Sequence, residues 1–178
     1  FENDFVEPSH YSVIDMAFGM QKDDGHSLVH YKTFSSTLQK QVMAFIRGGG
    51  RMFVSGAYIG SDMQRDNERD FLSGVFKTSY GGSDSNQTNN TVNGLGISFD
   101  LIRHPNAVHY AATNVNVMRP ANASSFCAMQ YADGTDAAVA YDGADYKCFV
   151  MGFPFECINS IKARQQVMKA VMNFLTKK

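Results

Sequence analysis

The stretch Ser36 to Asp62, STLQKQVMAFIRGGGRMFVSGAYIGSD, decides the fold of this chain. Its first part has apolar residues at helical spacing and predicts an amphipathic helix that begins near Ser35 or Ser36. Gly48-Gly49-Gly50 ends that helix, because glycine adopts the left-handed C-terminal conformation without steric cost. The apolar run Arg51 to Ala57 then predicts a strand that is covered on both faces.

The turn after this strand, Gly56-Ala57-Tyr58-Ile59-Gly60, is the first candidate site. Open α/β sheets place their sites at the carboxyl ends of strands. A second helix is predicted to begin at Ser61, and backbone N–H groups at its start would bind an oxyanion or a carboxylate. We therefore predict ligand contacts from Gly56, Ala57, Ile59, Gly60 and Asp62. Tyr58 stands at the position where a nucleophile would be expected.

Apolar and polar runs on either side of this stretch predict more of the sheet. Tyr11 to Phe18 predicts a buried strand, and the polar stretch Met20 to Thr33 predicts a long loop. Ser79 to Gly94 is rich in glycine, serine and asparagine, which predicts a surface excursion. Leu95 to Leu101 and Ala107 to Val117 predict extended segments.

The C-terminal third predicts hairpins and a last helix. Three apolar runs, Phe126 to Tyr131, Ala137 to Tyr141 and Tyr146 to Phe153, are joined by Asp-Gly turns that favour hairpins. Ile161 to Leu175 has apolar residues at helical spacing. We therefore expect an α/β fold: a mixed, mainly parallel sheet with helices on both faces and an antiparallel hairpin edge from Phe126 to Phe153.

Length and composition exclude several classes of partner. A chain of 178 residues with a net charge of −1 gives no electrostatic reason to expect nucleic acid or an anionic membrane. No apolar run is long enough to span a bilayer. We expect residues 1–178 to form a single domain. Doubly wound folds usually open with a strand and a helix that are missing before Tyr11, so we expect a domain excised from a larger protein.

The three cysteines leave two alternatives open. An odd count without CxxC spacing argues against a zinc site or a disulfide framework. Cys127 and Cys148 lie in neighbouring predicted strands and could pair. Buried free thiols, with Cys157 as the third, are the interpretation that we favour.

One histidine cluster has the composition of a metal site. His26 and His30 follow Asp23 and Asp24, and on a helix the two imidazoles would share a face. Gly25 and the absence of apolar periodicity argue against a helix here. A solvated loop or a lid over the sheet edge is the expected structure, and we predict no metal and no cofactor.

The order of elements around the central turn resembles the class I glutamine amidotransferase-like fold, a flavodoxin-like α/β architecture. Active members of that family hold a cysteine in a Gly-x-Cys-x-Gly elbow, where this chain has Tyr58 between Gly56 and Gly60. They also carry Phe-His-Pro-Glu, where this chain has Phe153-Pro154-Phe155-Glu156. The resemblance therefore implies the family's backbone and a degenerate active site, with the glutamate kept and the cysteine and histidine absent.

Three segments are similar to the C-terminal region of a bacterial group of proteins named as xanthan lyases or hydrolases. They are DMAFGMQK (Asp15 to Lys22), GGGRMFVSGAYIGSDM (Gly48 to Met63) and MGFPFE (Met151 to Glu156). That similarity implies a large, secreted, multidomain parent and an extracellular or periplasmic location. The partners that it implies are other domains of the parent chain and a carbohydrate or small anionic ligand.

Tyr58, Ser61 and Glu156 are the candidate catalytic residues, because all three are expected at the carboxyl edge of the sheet. On one hypothesis Glu156 acts as acid or base and Tyr58 or Ser61 donates a hydrogen bond. On the other, the site is retired: Tyr58 fills the pocket, Ser61 caps its helix, and Glu156 bonds to backbone or an arginine. His104 or His109 could replace the missing base, since such sites are recognised by geometry.

We favour a non-catalytic domain that serves as a structural, ligand-binding or partner-binding module of a secreted polysaccharide- or cell-wall-related protein. The alternative is a hydrolase or lyase-associated enzyme that acts on a saccharide or peptidoglycan fragment with Glu156 as acid or base. A third hypothesis is an amidase with an unrecognised base.

Overall fold

A computed structural model describes residues 7–23, 25, 26, 28, 31–84 and 90–177. The strands that it describes are β1 (Val13–Gly19), β2 (Arg51–Gly56), β3 (Thr78–Asp84), β4 (Thr91–Gly94), β5 (Ile97–Asp100), β6 (Val115–Pro120), β7 (Ser125–Tyr131), β8 (Asp136–Asp142) and β9 (Lys147–Met151). The helices are α1 (Ser36–Arg47), α2 (Asp66–Phe71) and α3 (Ile161–Thr176). A π-helical turn, Leu72–Phe76, continues α2, and 3-10 turns lie at Pro8–His10 and Phe155–Cys157.

The main sheet has seven strands in the order β1-β2-β9-β8-β7-β4-β5. Among the described strands, the β1–β2 and β2–β9 pairs are parallel, and the other four pairs are antiparallel. The predicted α/β class and mixed sheet are confirmed, but the mainly parallel, flavodoxin-like arrangement is wrong. Parallel neighbours need long crossover connections, and the second half of this chain has short turns that force antiparallel pairing.

The predicted hairpins between Phe126 and Phe153 are present as β7, β8 and β9, each antiparallel to the next. The prediction that these hairpins form the edge of the sheet is wrong. Strand β4 pairs with the outer side of β7, and β5 pairs with β4. The prediction that Ser79 to Gly94 is a surface excursion is also wrong for residues 79–84 and 91–94, while residues 85–89 lie outside the described residues. Strand β4 of that segment belongs to the main sheet. Strand β3 pairs with β6 in a separate two-stranded sheet.

The first helix matches its prediction and the second does not. The Ser35 hydroxyl accepts a hydrogen bond from the Leu38 N–H at 3.1 Å and so caps α1. Helix α2 begins at Asp66, five residues after the predicted start at Ser61. Its first turn is closed by the Glu68 carboxylate, which accepts from the Arg65 N–H at 3.1 Å.

Apolar layers cover both faces of the main sheet, as predicted. Helix α3 covers one face through Val167, Val171 and Leu175, which pack on strand residues that include Phe53 and Phe149. On the opposite face α1 and the π-helical turn pack on a second cluster, which includes Phe34, Val42, Met52, Val54, Phe76 and Val150. Strands β2 and β9 therefore lie between two apolar layers, whereas β1, at the edge of the sheet, is only partly buried. The carboxyl ends of all three strands emerge at one edge.

The cysteines are free, as favoured from the sequence. Cys127 of β7 pairs in register with Val139, and Cys148 of β9 pairs with Tyr141. Strand β8 therefore separates the two thiols, which excludes the alternative of a Cys127–Cys148 disulfide in this structure.

Gly152, directly after β9, lies close to Asn116 of β6, and a substitution there tests how tightly the two segments pack. A Cβ atom at Gly152 would lie 2.0 Å from the Asn116 carbonyl oxygen. We expect Gly152→Ala to lower the free energy of unfolding by about 3 kcal/mol, since backbone must move. Urea unfolding measures this cost.

Gly74 in the π-helical turn is the matched control, because no atom lies within 4 Å of a Cβ there. Gly74→Ala should leave stability unchanged or raise it by about 0.5–1 kcal/mol, through the lower conformational entropy of the unfolded chain. Equal effects of the two substitutions would contradict the close approach at Gly152.

Candidate functional site

The carboxyl ends of β1, β2 and β9 meet where the sequence predicted a site. Strand β1 ends at Gly19 and β2 ends at Gly56, and these two residues are paired in register. Beyond β9 the chain enters the 3-10 turn Phe155–Cys157, which contains Glu156. The residues that contact or face Glu156 lie far from it along the chain, in β1 and at Tyr110.

Tyr110 is the direct partner of Glu156. Its hydroxyl donates a hydrogen bond to Glu156 Oε1. Burial, then the adjacent carboxylate, raise the pKa of Tyr110 well above its ordinary value. The second carboxylate oxygen, Glu156 Oε2, is buried and has no hydrogen-bond partner among the described residues. A buried carboxylate oxygen without a protein partner is costly, and it can accept a hydrogen bond from a ligand.

Gly19 makes room for this pair. A Cβ atom at Gly19 would lie 2.8 Å from the Tyr110 hydroxyl and 3.2 Å from Glu156 Oε1. The residue also has φ +55°, a conformation that side-chain-bearing residues rarely adopt. The end of β1 therefore needs glycine both for its backbone and for the close approach of the Tyr110–Glu156 pair.

Asp15 of β1 is a second carboxylate at this site. Although much of its side chain is exposed, desolvation, followed by repulsion from Glu156, raises the pKa of Asp15. Two residues on, Ala17 pairs with Ser55 of β2, so these side chains project to the same face. Ser55 is buried, and its hydroxyl has no hydrogen-bond partner among the described residues. This face thus presents two carboxylates and a buried hydroxyl.

The central turn has its amide groups occupied. Asn116 is fully buried, and its Oδ1 accepts hydrogen bonds from Gly60 N at 2.8 Å and from Ser61 N at 2.9 Å. Its Nδ2 donates to the Ser83 hydroxyl at 2.8 Å. The N–H groups that were predicted to bind an oxyanion therefore already have an acceptor.

Tyr58 points to different partners from those predicted. Its hydroxyl accepts from Asn114 Nδ2 at 3.1 Å, and Lys22 Nζ lies 4.9 Å from the centre of its ring. Among the described residues no hydrogen bond joins Tyr58 or Ser61 to Glu156. Tyr58 and Ser61 thus belong to the turn, and Glu156 belongs to a separate cluster with Tyr110.

The predicted ligand residues of the turn are mostly buried. Gly56, Ala57, Ile59 and Gly60 have little exposed surface. The Asp62 carboxylate accepts from the backbone N–H groups of Asp23 at 3.2 Å and Thr33 at 2.7 Å, so it holds both ends of the polar loop. The role of these five residues in ligand binding stays a prediction.

Among the described residues, no histidine bonds to the Glu156 carboxylate. His26 and His104 are exposed, whereas His30 falls outside the described residues. His109 is half-buried beside Tyr110, and its backbone N–H donates to Asn106 Oδ1 at 2.9 Å. Within the described ranges, no three histidine, cysteine or acidic residues are grouped so that they could hold a metal. None of the described helices is long and apolar enough to cross a bilayer.

Sequence reasoning found Glu156 and missed Tyr110, Asp15 and Asn116. Tyr110 lies 46 residues from Glu156 along the chain, and Asn116 lies 56 residues from Gly60. One signal was available: Asp15 is a charged residue that interrupts an otherwise apolar strand, Val13–Gly19.

Comparisons with known proteins identify the fold alone. No family model and no curated protein matches the chain. The structure is similar to Gan42B, a GH42 β-galactosidase from G. stearothermophilus, with a TM-score of 0.60, 12% identity, and coverage of 94% of this chain but 22% of that chain. It is also similar to the exo-β-1,4-mannosidase Op5Man5 from Opitutaceae bacterium strain TAV5, with a TM-score of 0.54, 8% identity, and coverage of 96% and 25%.

A third similar structure is the cytoplasmic protein STM3548 from Salmonella typhimurium, with a TM-score of 0.57, 10% identity, and coverage of 96% of this chain and 74% of that chain. These matches correct the sequence resemblance: they are glycosidases and a small cytoplasmic protein, and they do not support the amidotransferase-like or xanthan lyase assignment. The paired glycines that suggested the assignment have local causes, because a Cβ at Gly60 would lie 2.7 Å from the Tyr80 ring.

Asn116→Ala tests the closure of the turn. Removal of its side chain leaves the buried N–H of Gly60 without an acceptor, and the Ser61 N–H loses the same partner. We expect the free energy of unfolding to fall by roughly 2–4 kcal/mol. Tyr58→Phe removes one half-buried hydrogen bond at the same turn and should cost less than about 1 kcal/mol. Comparable losses in both variants would show that Asn116 does not organise the turn.

Asp15→Asn tests the carboxylate pair through pH. Because its folded-state pKa is raised above the ordinary value of 3.8, Asp15 binds protons more tightly in the folded chain than in the unfolded chain. The folded state therefore loses stability from this group as pH rises through 3.8 to the folded pKa. Asp15→Asn removes that loss, so we expect the variant to gain stability over wild type above this window and to lose the advantage below it.

Urea unfolding between pH 3 and pH 7 measures this difference, and a variant whose advantage is constant across that range would contradict the raised pKa. Asp66→Asn is the control, because Asp66 is exposed and pairs with Arg69 on α2. An NMR titration adds a direct reading. Glu156→Gln should lower the pKa of Asp15, while desolvation keeps it above its ordinary value.

Proposed function

We propose that this chain is a non-catalytic binding module of a secreted protein that handles polysaccharide or cell-wall material. Its binding surface is the face that carries Asp15, Tyr110 and Glu156. The observation that carries the proposal is the closed turn. Asn116 already accepts from Gly60 N and Ser61 N, so these N–H groups are not available to an oxyanion.

The cysteines support a non-catalytic role. Burial, followed by the neighbouring Glu156 carboxylate, raises the pKa of Cys157 to about 12. Cys127 and Cys148 also have raised pKa values, with burial as the main cause. All three therefore remain thiols at neutral pH, and a thiol is a poor nucleophile.

The charges of the site favour a neutral, hydroxyl-rich ligand over an anionic one. Two carboxylates, Asp15 and Glu156, already repel each other at this face. An added anion would meet that charge without the turn N–H groups to offset it. Saccharide hydroxyls, by contrast, donate to carboxylates, and the partly exposed Tyr110 ring offers an apolar surface for a sugar.

The size of the matched region supports a module within a larger chain. The fold of this chain accounts for 22% of the β-galactosidase and 25% of the mannosidase that it resembles. In both proteins it is thus one part of a longer carbohydrate-active enzyme. Other domains of a parent chain are the partners that we propose on this basis.

A hydrolase or lyase-associated enzyme acting on a saccharide or peptidoglycan fragment is the second candidate. It is favoured by the unpartnered, buried Glu156 Oε2 and by the neighbouring Asp15, whose raised pKa suits an acid. Glycosidases use two carboxyl groups in this way. The closed turn opposes this role, because the N–H groups of Gly60 and Ser61 are not free to stabilise a developing charge.

NMR titration of the chain with neutral oligosaccharides, uronate oligosaccharides and muropeptides tests both candidates. We expect neutral oligosaccharides to shift the resonances of Asp15 and Tyr110, with no product formed. Glu156→Gln should weaken binding about tenfold, through the loss of a charge-assisted hydrogen bond. Asp66→Asn is the matched control, because it removes an exposed carboxylate on α2 that pairs with Arg69.

Product formation by the wild-type chain that is lost in Glu156→Gln would overturn the non-catalytic proposal and support the enzyme. Tighter binding of uronates than of neutral sugars would overturn the ligand class. If none of the three probes is bound or turned over, both candidates are overturned.

A further inference from the structure

One edge of the main sheet is open. Strand β1 stands first in the strand order and pairs only with β2 among the described residues. At the other edge β5 spans only four residues, Ile97–Asp100, whereas β1 spans seven, Val13–Gly19. The longer open edge therefore lies at the strand that also carries Asp15.

The backbone of β1 shows which groups face outward. Arg51 N donates to the Ser12 carbonyl oxygen, and the parallel register continues with Val13 opposite Arg51. In a parallel ladder alternate residues bond to the same neighbour. The backbone groups of Ile14 and Met16 therefore bond to β2, and those of Val13, Asp15 and Ala17 point to the open edge.

The side chains of β1 are suited to a further strand. Ile14, Met16 and Phe18 are only half-buried, although they pack against the cluster under α1. Val13 packs in the same partial way against the opposite layer. A strand laid beside β1 would cover both sets and satisfy the outward N–H and C=O groups.

The usual protections of an edge are nearly absent from β1. Natural edges are blunted by proline, lysine or bulges, and β1 contains neither proline nor lysine. Its register irregularity falls at the end, between Ala17 and Gly19. The one charge along the edge is Asp15, midway between Val13 and Ala17.

Asp15 decides which occupant fits. A second copy paired symmetrically about the three outward residues would set Asp15 against Asp15 of the partner, and like charges directly opposite each other destabilise a strand pair. An opposite charge at that position stabilises it. We propose that the β1 edge binds an extended segment of a partner polypeptide, with apolar residues on both faces and a lysine or arginine opposite Asp15.

A pair of synthetic peptides tests this surface. Each has nine residues that alternate valine and threonine, with lysine at the centre of one and glutamate at the centre of the other. Amide hydrogen exchange should slow at Val13, Asp15 and Ala17 when the lysine peptide is added, and should not change at Ile14 and Met16. The lysine peptide should bind about three- to tenfold more tightly than the glutamate peptide.

Two variants distinguish binding at the β1 edge from non-specific peptide binding. Asp15→Lys should reverse the preference between the two peptides. Ala17→Pro removes one outward N–H while proline remains acceptable at a sheet edge, so it should abolish binding and leave the chain folded. Far-ultraviolet circular dichroism checks the fold of each variant.

Three results would overturn the inference: no slowing at the outward amides with either peptide, equal affinity for both peptides, or slowing that depends on protein concentration without peptide. The last result, with a dimer in analytical ultracentrifugation, would assign the edge to a second copy. Saccharide binding at Tyr110 and Glu156 is read separately by NMR titration, so each proposal can fail without the other.

Discussion

The hydrogen bonds of Asn116 hold the parts of this fold together. Its backbone N–H donates to the Gly152 carbonyl at 2.7 Å, and its own carbonyl accepts from the Tyr131 hydroxyl at 3.0 Å. Its side chain bonds to the turn at Gly60 and to Ser83 of β3. One buried residue thus joins the end of β9, strand β7, the small sheet and the central turn. Because Asn116 itself is fully buried, the loss of a partner leaves its polar groups unpaired at a high cost.

These bonds also explain why the central turn offers no oxyanion site. An oxyanion site needs N–H groups that are free to meet the developing charge. Here those of Gly60 and Ser61 are used to anchor the turn to Asn116. The glycines serve packing: Gly60 lies under Tyr80, and Gly56 lies against Phe18, where a Cβ would come within 3.0 Å. Polar groups available to a ligand are displaced to the neighbouring cluster around Glu156.

The sequence predicted those elements whose signals are local. Helix α1 follows from apolar spacing and a serine cap, β2 from an apolar run, and the hairpins between β7 and β9 from Asp-Gly turns. Strands β3 and β4 were missed because their glycines suggested a loop. In fact Gly94 allows β7 to approach, since a Cβ there would lie 2.5 Å from the Ala128 carbonyl oxygen. Glu156 was singled out from the segment Phe153-Pro154-Phe155-Glu156 and its expected place at the carboxyl edge of the sheet. Its neighbours Tyr110 and Asp15 depend on long-range contacts that no local pattern records.

Asp15 connects the two surfaces of the molecule. Its backbone points to the open edge of β1, while its carboxylate faces the charge of Glu156. A strand added at the edge would exclude water from Asp15, and desolvation of a carboxylate favours its neutral form. A cation on that strand would oppose this effect and favour the charged form instead. The charge carried by an edge partner would therefore set the protonation of Asp15, and through it the repulsion that Glu156 experiences. The edge and the carboxylate face are thus coupled by one side chain.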